Sequence, residues 1–324
     1  MKISVIITSY NQKKYLVQTL NSVLNQTFIP FEIIVCDDCS TDGSQDLIKN
    51  YQEQHPRLIK TIFQEKNLGV TKNRNAGIKK ARGEYITTLD GDDLYSPLKL
   101  EKEAYMVQKT GADLVYSNVV YIDEKGSRTG IRYKDNNLLE GCLFEKAVTL
   151  KYPAPREVLI KRSCIQKMGF QDESFPINED FEWIVRLASQ FSFVAVKKPL
   201  VLHRIHSRGL SNSSRLLLLQ TQKRVAQKML GLVGESIENN TKTARKKLTA
   251  FLNLTQARIA EHERQYRLAW PHLFHATWAD FFRSANYDLY LRLLLPGLFK
   301  KNSRLPDPLM IGPLAMPFYI ARGI

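Results

Sequence analysis

The stretch TTLDGDDLYSP, residues 87–97, places the carboxylates Asp90, Asp92 and Asp93 within four positions. A β-branched, apolar run from Tyr85 to Leu89 leads directly into them, so a buried strand ends in like charges that repel one another. Two explanations are open: acids that open the helix that follows, or a site that holds something positive. Hard carboxylate oxygens suit a divalent cation such as Mg2+ or Mn2+, and a cation with open positions suits the oxygens of a diphosphate. The glycine-rich phosphate cradles are missing, since neither G-x-G-x-x-G after the first apolar run nor G-x-x-x-x-G-K-[ST] occurs. DCSTDG (38–43) begins like a calcium loop, with Asp38, Ser40, Asp42 and Gly43 in register. The closing glutamate position of that loop holds Lys49, which excludes the reading.

The elements that must position these acids alternate along the chain. Ile3 to Thr8 is a continuous apolar run of strand type, and Leu16, Leu20, Val23 and Leu24 then recur at helical spacing. FEIIVC (31–36), a helix from about Ser44, LIKTIF (58–63), a helix over about 70–82 and EYITTL (84–89) follow. Strand–helix alternation with buried-type strands predicts βαβ units and a mostly parallel sheet flanked by helices, an α/β fold. Ligands of such sheets bind beyond the carboxyl ends of the strands. TSYN, DDCSTDGS and LDGDD fall on those ends, so three separate loops are expected to converge on one crevice.

ISVIITSYN, EIIVCDDCSTDGS, NLGVTKNRNAGIKKARGEYITTLDGDD and LIKRSCIQKMGFQDESFPINEDFEWIVRLA, in this order, resemble the successive motifs of the family 2 inverting nucleotide-sugar glycosyltransferases. The likeness runs from residue 3 to about 212 and includes HRIHSRGLS (203–211), similar to the segment that ends the catalytic domain of that family. It implies a GT-A fold, a Rossmann-like α/β architecture, and a metal-dependent transfer of sugar from a nucleotide-sugar donor, with UDP favoured. It also implies roles. Thr8 and Tyr10 contact the nucleotide, Tyr10 against the base, and Asp38 accepts a hydrogen bond from a ring N–H. Arg74 approaches the diphosphate or shapes its pocket. Asp90, Gly91 and Asp92 form the D-x-D motif, which with Asp93 beside it holds Mg2+ or Mn2+. Inversion needs a carboxylate to take the acceptor hydroxyl's proton, and the family pattern places it on Asp180 in PINEDFEW, at a helix start that favours the ionised acid. His206 would help to cover the diphosphate or metal. Read without the family, Asp180 is an ordinary first-turn acid, Arg74 a solvated helix cation, His203 and His206 structural, and Trp183 core.

The 324-residue chain is strongly basic, at +15, but unevenly so. Residues 214–324 hold 17 Lys and Arg against 7 Asp and Glu, and the first 213 hold 30 against 25. A catalytic domain over 1–213 and a basic helical region over 214–324 are therefore expected. SRLLLLQTQKRVAQKMLGLV and ARKKLTAFLNLTQARIAEHERQYRLAW read as amphipathic helices with basic faces, and residues 281–305 mix aromatics, leucines and cations. The last segment suits a helix in an anionic membrane interface, near a lipid-linked acceptor, as well as a helix packed on the catalytic domain.

Cys36, Cys39, Cys142 and Cys164 make neither a disulfide framework nor a zinc set, and the N-terminus turns polar too early for a signal peptide. No run reaches a membrane span, so a cytoplasmic chain, with peripheral contact at the inner face of the membrane, is expected. Two other classes stay open. Nucleotidyl transfer to a sugar phosphate is the nearest enzymatic rival, although such enzymes carry a glycine-rich basic loop and TSYNQKKY has no glycine. A non-catalytic nucleic-acid- or sugar-binding protein is the other; its cations are interleaved with leucine, and the acidic crevice repels phosphate backbones.

Overall fold

The computed structural model describes residues 1–148, 153–206, 215–235 and 241–279. It divides into two compact units, Met1–Leu143 with Pro155–Gly209, and Phe144–Ala154 with Leu210–Ile324. The first unit opens with β1 (Ile3–Ser9), α1 (Lys13–Leu24), β2 (Glu32–Asp37), α2 (Ser44–Gln54), β3 (Ile59–Phe63), α3 (Val70–Lys80) and β4 (Tyr85–Asp90). It continues with β5 (Leu94–Tyr95), α4 (Lys99–Thr110), β6 (Leu114–Ile122) and β7 (Arg128–Ile131). After α5 (Phe144–Val148), which belongs to the second unit, it resumes with β8 (Leu159–Lys161), α6 (Arg162–Met168), α7 (Glu179–Ala188) and β9 (Phe193–Arg204).

Nine strands form one sheet in the order β3-β2-β1-β4-β8-β6-β9-β5, with β7 on β6. The half read from the βαβ pattern is parallel: β2 and β4 flank β1, and β3 extends β2. Beyond β4 the sheet is mixed, because β8 runs antiparallel to both β4 and β6. β8 has three residues, too few for periodicity to reveal it or its direction.

β1 is buried along its whole length. Ile3, Val5 and Ile7 alternate onto the face that shares a core with Leu16, Leu20 and Val23 of α1. Ile6 faces the other way, under α3. A Cβ on Gly77 would lie 2.7 Å from Cys36 Sγ, so the missing side chain lets α3 rest directly on the sheet. Arg74 is one turn earlier on the same helix face, and this close approach carries it to the end of β4.

The second unit contains α8 (Arg215–Glu235), α9 (Thr241–His262) and α10 (Tyr266–Ala279), with α9 packed on α8, α10 and α5. Leu254, Ala257, Ala260, Ala269 and Leu273 form a buried cluster there. Residues 244–270 read as one helix from periodicity, but the chain turns between α9 and α10 at Arg264, whose φ of 59° is left-handed. The expected interfacial segment 281–305 lies outside the described residues. No described helix is long and apolar enough to cross a membrane.

Candidate active site

The acidic loop is fixed by its backbone. Thr8 pairs with Asp90 across β1 and β4, and the Gly91 N–H donates to the Thr8 carbonyl at 2.8 Å. Thr19 Oγ1 of α1 reaches the carbonyls of both Gly91 and Asp93 at 2.9 Å, and Arg204 Nε at the end of β9 donates to the Asp92 carbonyl at 3.0 Å. A Cβ on Gly91 would stand 2.8 Å from the Thr8 carbonyl oxygen, so glycine is what lets the loop fold back on β1.

The three carboxylates of the loop lead different lives. Asp90 Oδ1 accepts from Thr8 Oγ1 at 2.9 Å and from Arg74 Nη2 at 2.7 Å. Burial alone would raise its pKa, but Arg74 and then Arg156 overcome that and hold it at about 2. Asp92 Oδ2 meets His206 Nε2 at 2.8 Å, and that bond raises the imidazole pKa against the opposing effect of burial. Asp93 is fully buried, with Oδ2 2.7 Å from His203 Nδ1 and Oδ1 accepting the Arg204 N–H at 2.8 Å. Burial, with Asp92 and Asp90 nearby, pushes Asp93 upward, while burial and Arg156 push His203 down to about 4. The Asp93–His203 contact, with the Arg204 N–H, braces β9 against the loop. Asp93, expected as a metal ligand, has both oxygens engaged and buried in this arrangement, whereas Asp92 is partly exposed.

Arg74 is the hub of the opposite wall. Buried in α3, it spans Asp90 and Glu179, with Nη1 2.8 Å from Glu179 Oε1 and 3.1 Å from Gln171 Oε1. A solvated helix cation it is not. Glu179 opens α7, and Asp180 follows it, half-buried, with Oδ1 accepting the Phe181 N–H at 2.7 Å. Burial, and then the Asp180 charge, raise the Glu179 pKa despite Arg74. Arg156, just ahead of β8, links the two walls: its Nη2 lies 3.7 Å from Asp90 Oδ2, and Glu157, Asp180, Asp93 and Asp90 all hold it firmly charged against the cost of burial.

The first two loops also converge. The Asn11 N–H donates to Ser40 Oγ at 2.9 Å, and the Thr41 N–H donates to Asn11 Oδ1 at 2.8 Å. Tyr10, at their rim, is 48% exposed and offers a ring surface. Asp38 is buried and accepts from the N–H groups of Leu68 and Gly69 at 2.7 and 2.8 Å, which ties the loop before α3 to the end of β2. Each Asp38 oxygen keeps one further lone pair. Trp183 is core, its Nε1–H donating to the Gly169 carbonyl at 3.0 Å.

Arg156, Glu157 and Arg204 were not singled out in the sequence. The available signals were weak: an adjacent charge pair ahead of the apolar VLI run, and a cation that ends the LVLHR strand. Buried polar atoms without partners gather at this crevice, namely Ser9 Oγ, Gln12 Oε1, Arg74 Nε and Glu157 Oε2. Buried polar atoms are normally paired, so these four are groups that a polar ligand would complete. Among the described residues no group of three or more His, Cys, Asp or Glu side chains could hold a metal ion by itself. Asp92 and His206 supply one carboxylate and one imidazole, which fits a divalent cation that completes its shell on a diphosphate.

Residues 4–169 match the model of the family described as Glycosyl transferase family 2. An uncharacterized glycosyltransferase of Methanocaldococcus jannaschii is 33% identical over 64% of this chain and 71% of its own length. One from Nostoc is 45% identical over 55% of this chain and 54% of its own length. The chain thus spans little more than half of the second relative. Among solved structures, Staphylococcus aureus TarS 1-349 with UDP-GlcNAc superposes with a TM-score of 0.68 at 19% identity, covering 90% of this chain and 87% of that one. The mannosyltransferase PcManGT of Pyrobaculum calidifontis, with GDP-Man and Mn2+, gives 0.59 at 16% identity over 92% and 81%. These likenesses identify the architecture as GT-A with C-terminal helices. With half of its length matched by the family model and the motif loops gathered at one end of the sheet, the chain belongs to glycosyl transferase family 2.

Proposed function

We propose that the chain is a metal-dependent, inverting glycosyltransferase that moves a sugar from a nucleoside-diphosphate donor, UDP-linked, to a saccharide or lipid-linked acceptor in cell-surface polysaccharide or glycolipid synthesis. The observation that carries the reading is the pairing of Asp92 with His206 at 2.8 Å, in a loop whose Asp90 lies 3.7 Å from Arg156, which also feels the Asp180 charge. The TarS complex with UDP-GlcNAc and the PcManGT complex with GDP-Man and Mn2+ support a nucleotide-sugar donor and a divalent cation.

In this reading Asp92 and His206 hold Mg2+ or Mn2+, which neutralises charge on the leaving diphosphate when bound. Thr8 and Tyr10 receive the nucleotide, Tyr10 stacking on the base, and Asp38 uses its remaining lone pairs for a ring N–H. Arg74 fixes Asp90 and Glu179, so that Asp90 shapes the floor of the site instead of moving toward the ligand. Asp180 takes the proton of the acceptor hydroxyl at its carboxylate as that hydroxyl attacks, with no covalent intermediate. The Asp180 charge, with Glu157, Asp93 and Asp90, holds Arg156 charged beside it.

Incubating the protein with UDP-sugars, with and without Mn2+, and separating the products tests the proposal. Release of UDP only with metal is expected. Release of pyrophosphate, or metal-independent turnover, refutes it. The basic C-terminal third supports a second element of the proposal, peripheral docking at the inner face of an anionic membrane. Sedimentation with anionic and with neutral vesicles checks it, and absence from both pellets removes it.

A further inference from the structure

Glu157 stands immediately ahead of β8 in a conformation that a glutamate rarely adopts, with φ of 45°. Its carbonyl accepts from Thr87 Oγ1 at 3.3 Å, and its Oε1 lies 3.2 Å from Arg156 Nε. The side chain is 6% exposed, and its Oε2 is buried with no partner. A charged oxygen held dry and unmatched, on a strained backbone, is a feature that persists where a ligand completes it. Because Ile86 lies opposite Ile160 in the antiparallel β4–β8 pair, Glu157 sits level with the end of β4. There it faces Arg156, Asp93, His203 and Asp90.

This places Glu157 in the gap that matters for the proposed reaction, on which the present inference rests. Arg156 reaches toward Asp90 on one side and feels the Asp180 charge on the other. In an inverting displacement the transferred sugar lies between the leaving diphosphate and the general base, so residues between Asp92 and Asp180 border the sugar itself. We infer that Glu157 is a specificity-determining residue whose Oε2 accepts a hydroxyl of the transferred sugar, and that the donor sugar is neutral and hydroxyl-bearing instead of a uronic acid. A sugar carboxylate would confront Glu157 and Asp180, while the nearest cation, Arg156, is already shared between Glu157 and Asp90. A sugar O–H instead supplies the donor that Oε2 lacks.

Calorimetric binding of UDP, UDP-glucose, UDP-N-acetylglucosamine and UDP-glucuronic acid to the full chain with Mn2+ tests this. The wild type should bind a neutral donor at least about tenfold more tightly than UDP-glucuronic acid. Glu157→Ala should weaken the neutral donor by about tenfold, the value of one hydrogen bond to a charged acceptor, and leave UDP unchanged. Glu157→Gln keeps an acceptor oxygen without the charge, so it should retain most of the neutral-donor affinity and narrow the gap to UDP-glucuronic acid. Equal losses for UDP and the UDP-sugars would assign Glu157 to the fold and overturn the inference, as would no loss at all or a wild-type preference for UDP-glucuronic acid. A wild type that binds UDP but no UDP-sugar also overturns it. Failure to bind even UDP overturns the glycosyltransferase reading beneath it, so the two failures are told apart.

Discussion

Replacing Arg74 with Met tests whether the acid cluster is held together by one buried cation. Arg74 is 6% exposed and bonds Asp90 at 2.7 Å and Glu179 at 2.8 Å. The substitution keeps an unbranched side chain of similar reach but strands two carboxylates, and breaking a buried pair from one side costs about 3–5 kcal/mol. For the 200-residue scale of the first unit this corresponds to a fall in Tm of about 6–20 °C, at about 2–4 °C per kcal/mol. The sign of its pH dependence follows from Asp90. In the wild type the Asp90 pKa is depressed to about 2, so its stabilising contribution is full above the unfolded value near 4 and is lost only as pH falls through about 2. The wild type therefore gains or loses nothing from this group between pH 5 and 7.5. Without Arg74, burial dominates: Asp90 rises above its unfolded value and Glu179, already raised, rises further, so an added penalty absent below pH 4 accumulates as pH rises through the new pKa values. The Tm gap between wild type and Arg74→Met, read by scanning fluorimetry, should be widest at pH 7.5 and narrower at pH 5 by about 2–4 °C, equivalent to about 1 kcal/mol. A gap independent of pH would refute the account. Arg74→Lys, one point charge in place of a fork, should recover only part of the loss.

Asp92→Asn should abolish Mn2+-dependent release of UDP while leaving Tm within about 2 °C, since the Asp92 carboxylate bonds His206, the Arg204 bond goes to the unchanged carbonyl, and Asn keeps the shape; unchanged metal-dependent turnover refutes its role. Asp180→Asn should reduce transfer by about 10²–10⁴-fold with donor affinity preserved, and a collapse of donor binding would reassign the residue to structure. Gly91→Ala should lower stability by about 1–3 kcal/mol and turnover with it, because the new methyl meets the Thr8 carbonyl at 2.8 Å; an unaltered denaturation midpoint contradicts the close packing described.

The first half of the sheet was legible because its central strands are apolar runs, β1 and β2 buried throughout, with helices between them: α1 buries Leu16, Leu20 and Val23. The crevice was legible for the same reason, since strand ends could be counted off and their polar loops compared. The second half was not. β8 is three residues long and β5 two, and their pairing is decided by contacts distant in sequence that no local pattern encodes. The partners of the site residues were hidden in the same way. Arg74 and Glu179 are 105 positions apart, and His206 and Asp92 are 114 apart. Residue type alone marks Asp93 as a ligand candidate equal to Asp92; only the arrival of β9, with the His203 ring and the Arg204 N–H, shows how differently the two are placed.

Three acids in four positions are tolerable because the fold gives each a different way to avoid its neighbours' charge. Asp90 is neutralised by a guanidinium and stays ionised at about 2. Asp93 is buried against a depressed imidazole, and burial with Asp92 and Asp90 nearby pushes its pKa upward, so its charge is the most disfavoured of the three. That leaves Asp92, whose partner His206 is an imidazole at the rim, raised in pKa by that contact and by nothing stronger. A histidine partner is the weakest of the three restraints, since it loses its charge as pH rises past its pKa, unlike a guanidinium, and can turn to a metal as readily as to a carboxylate. The cluster is therefore not three equivalent ligands but one adjustable ligand braced by two fixed acids. Removing either brace should disturb Asp92 indirectly. Asp93→Asn, which keeps the shape and removes the shared proton, should lower Tm more than Asp92→Asn does while weakening Mn2+ binding less. The reverse ranking, with Asp93→Asn weakening Mn2+ more than Asp92→Asn, would restore Asp93 to the coordination shell and undo this division of roles.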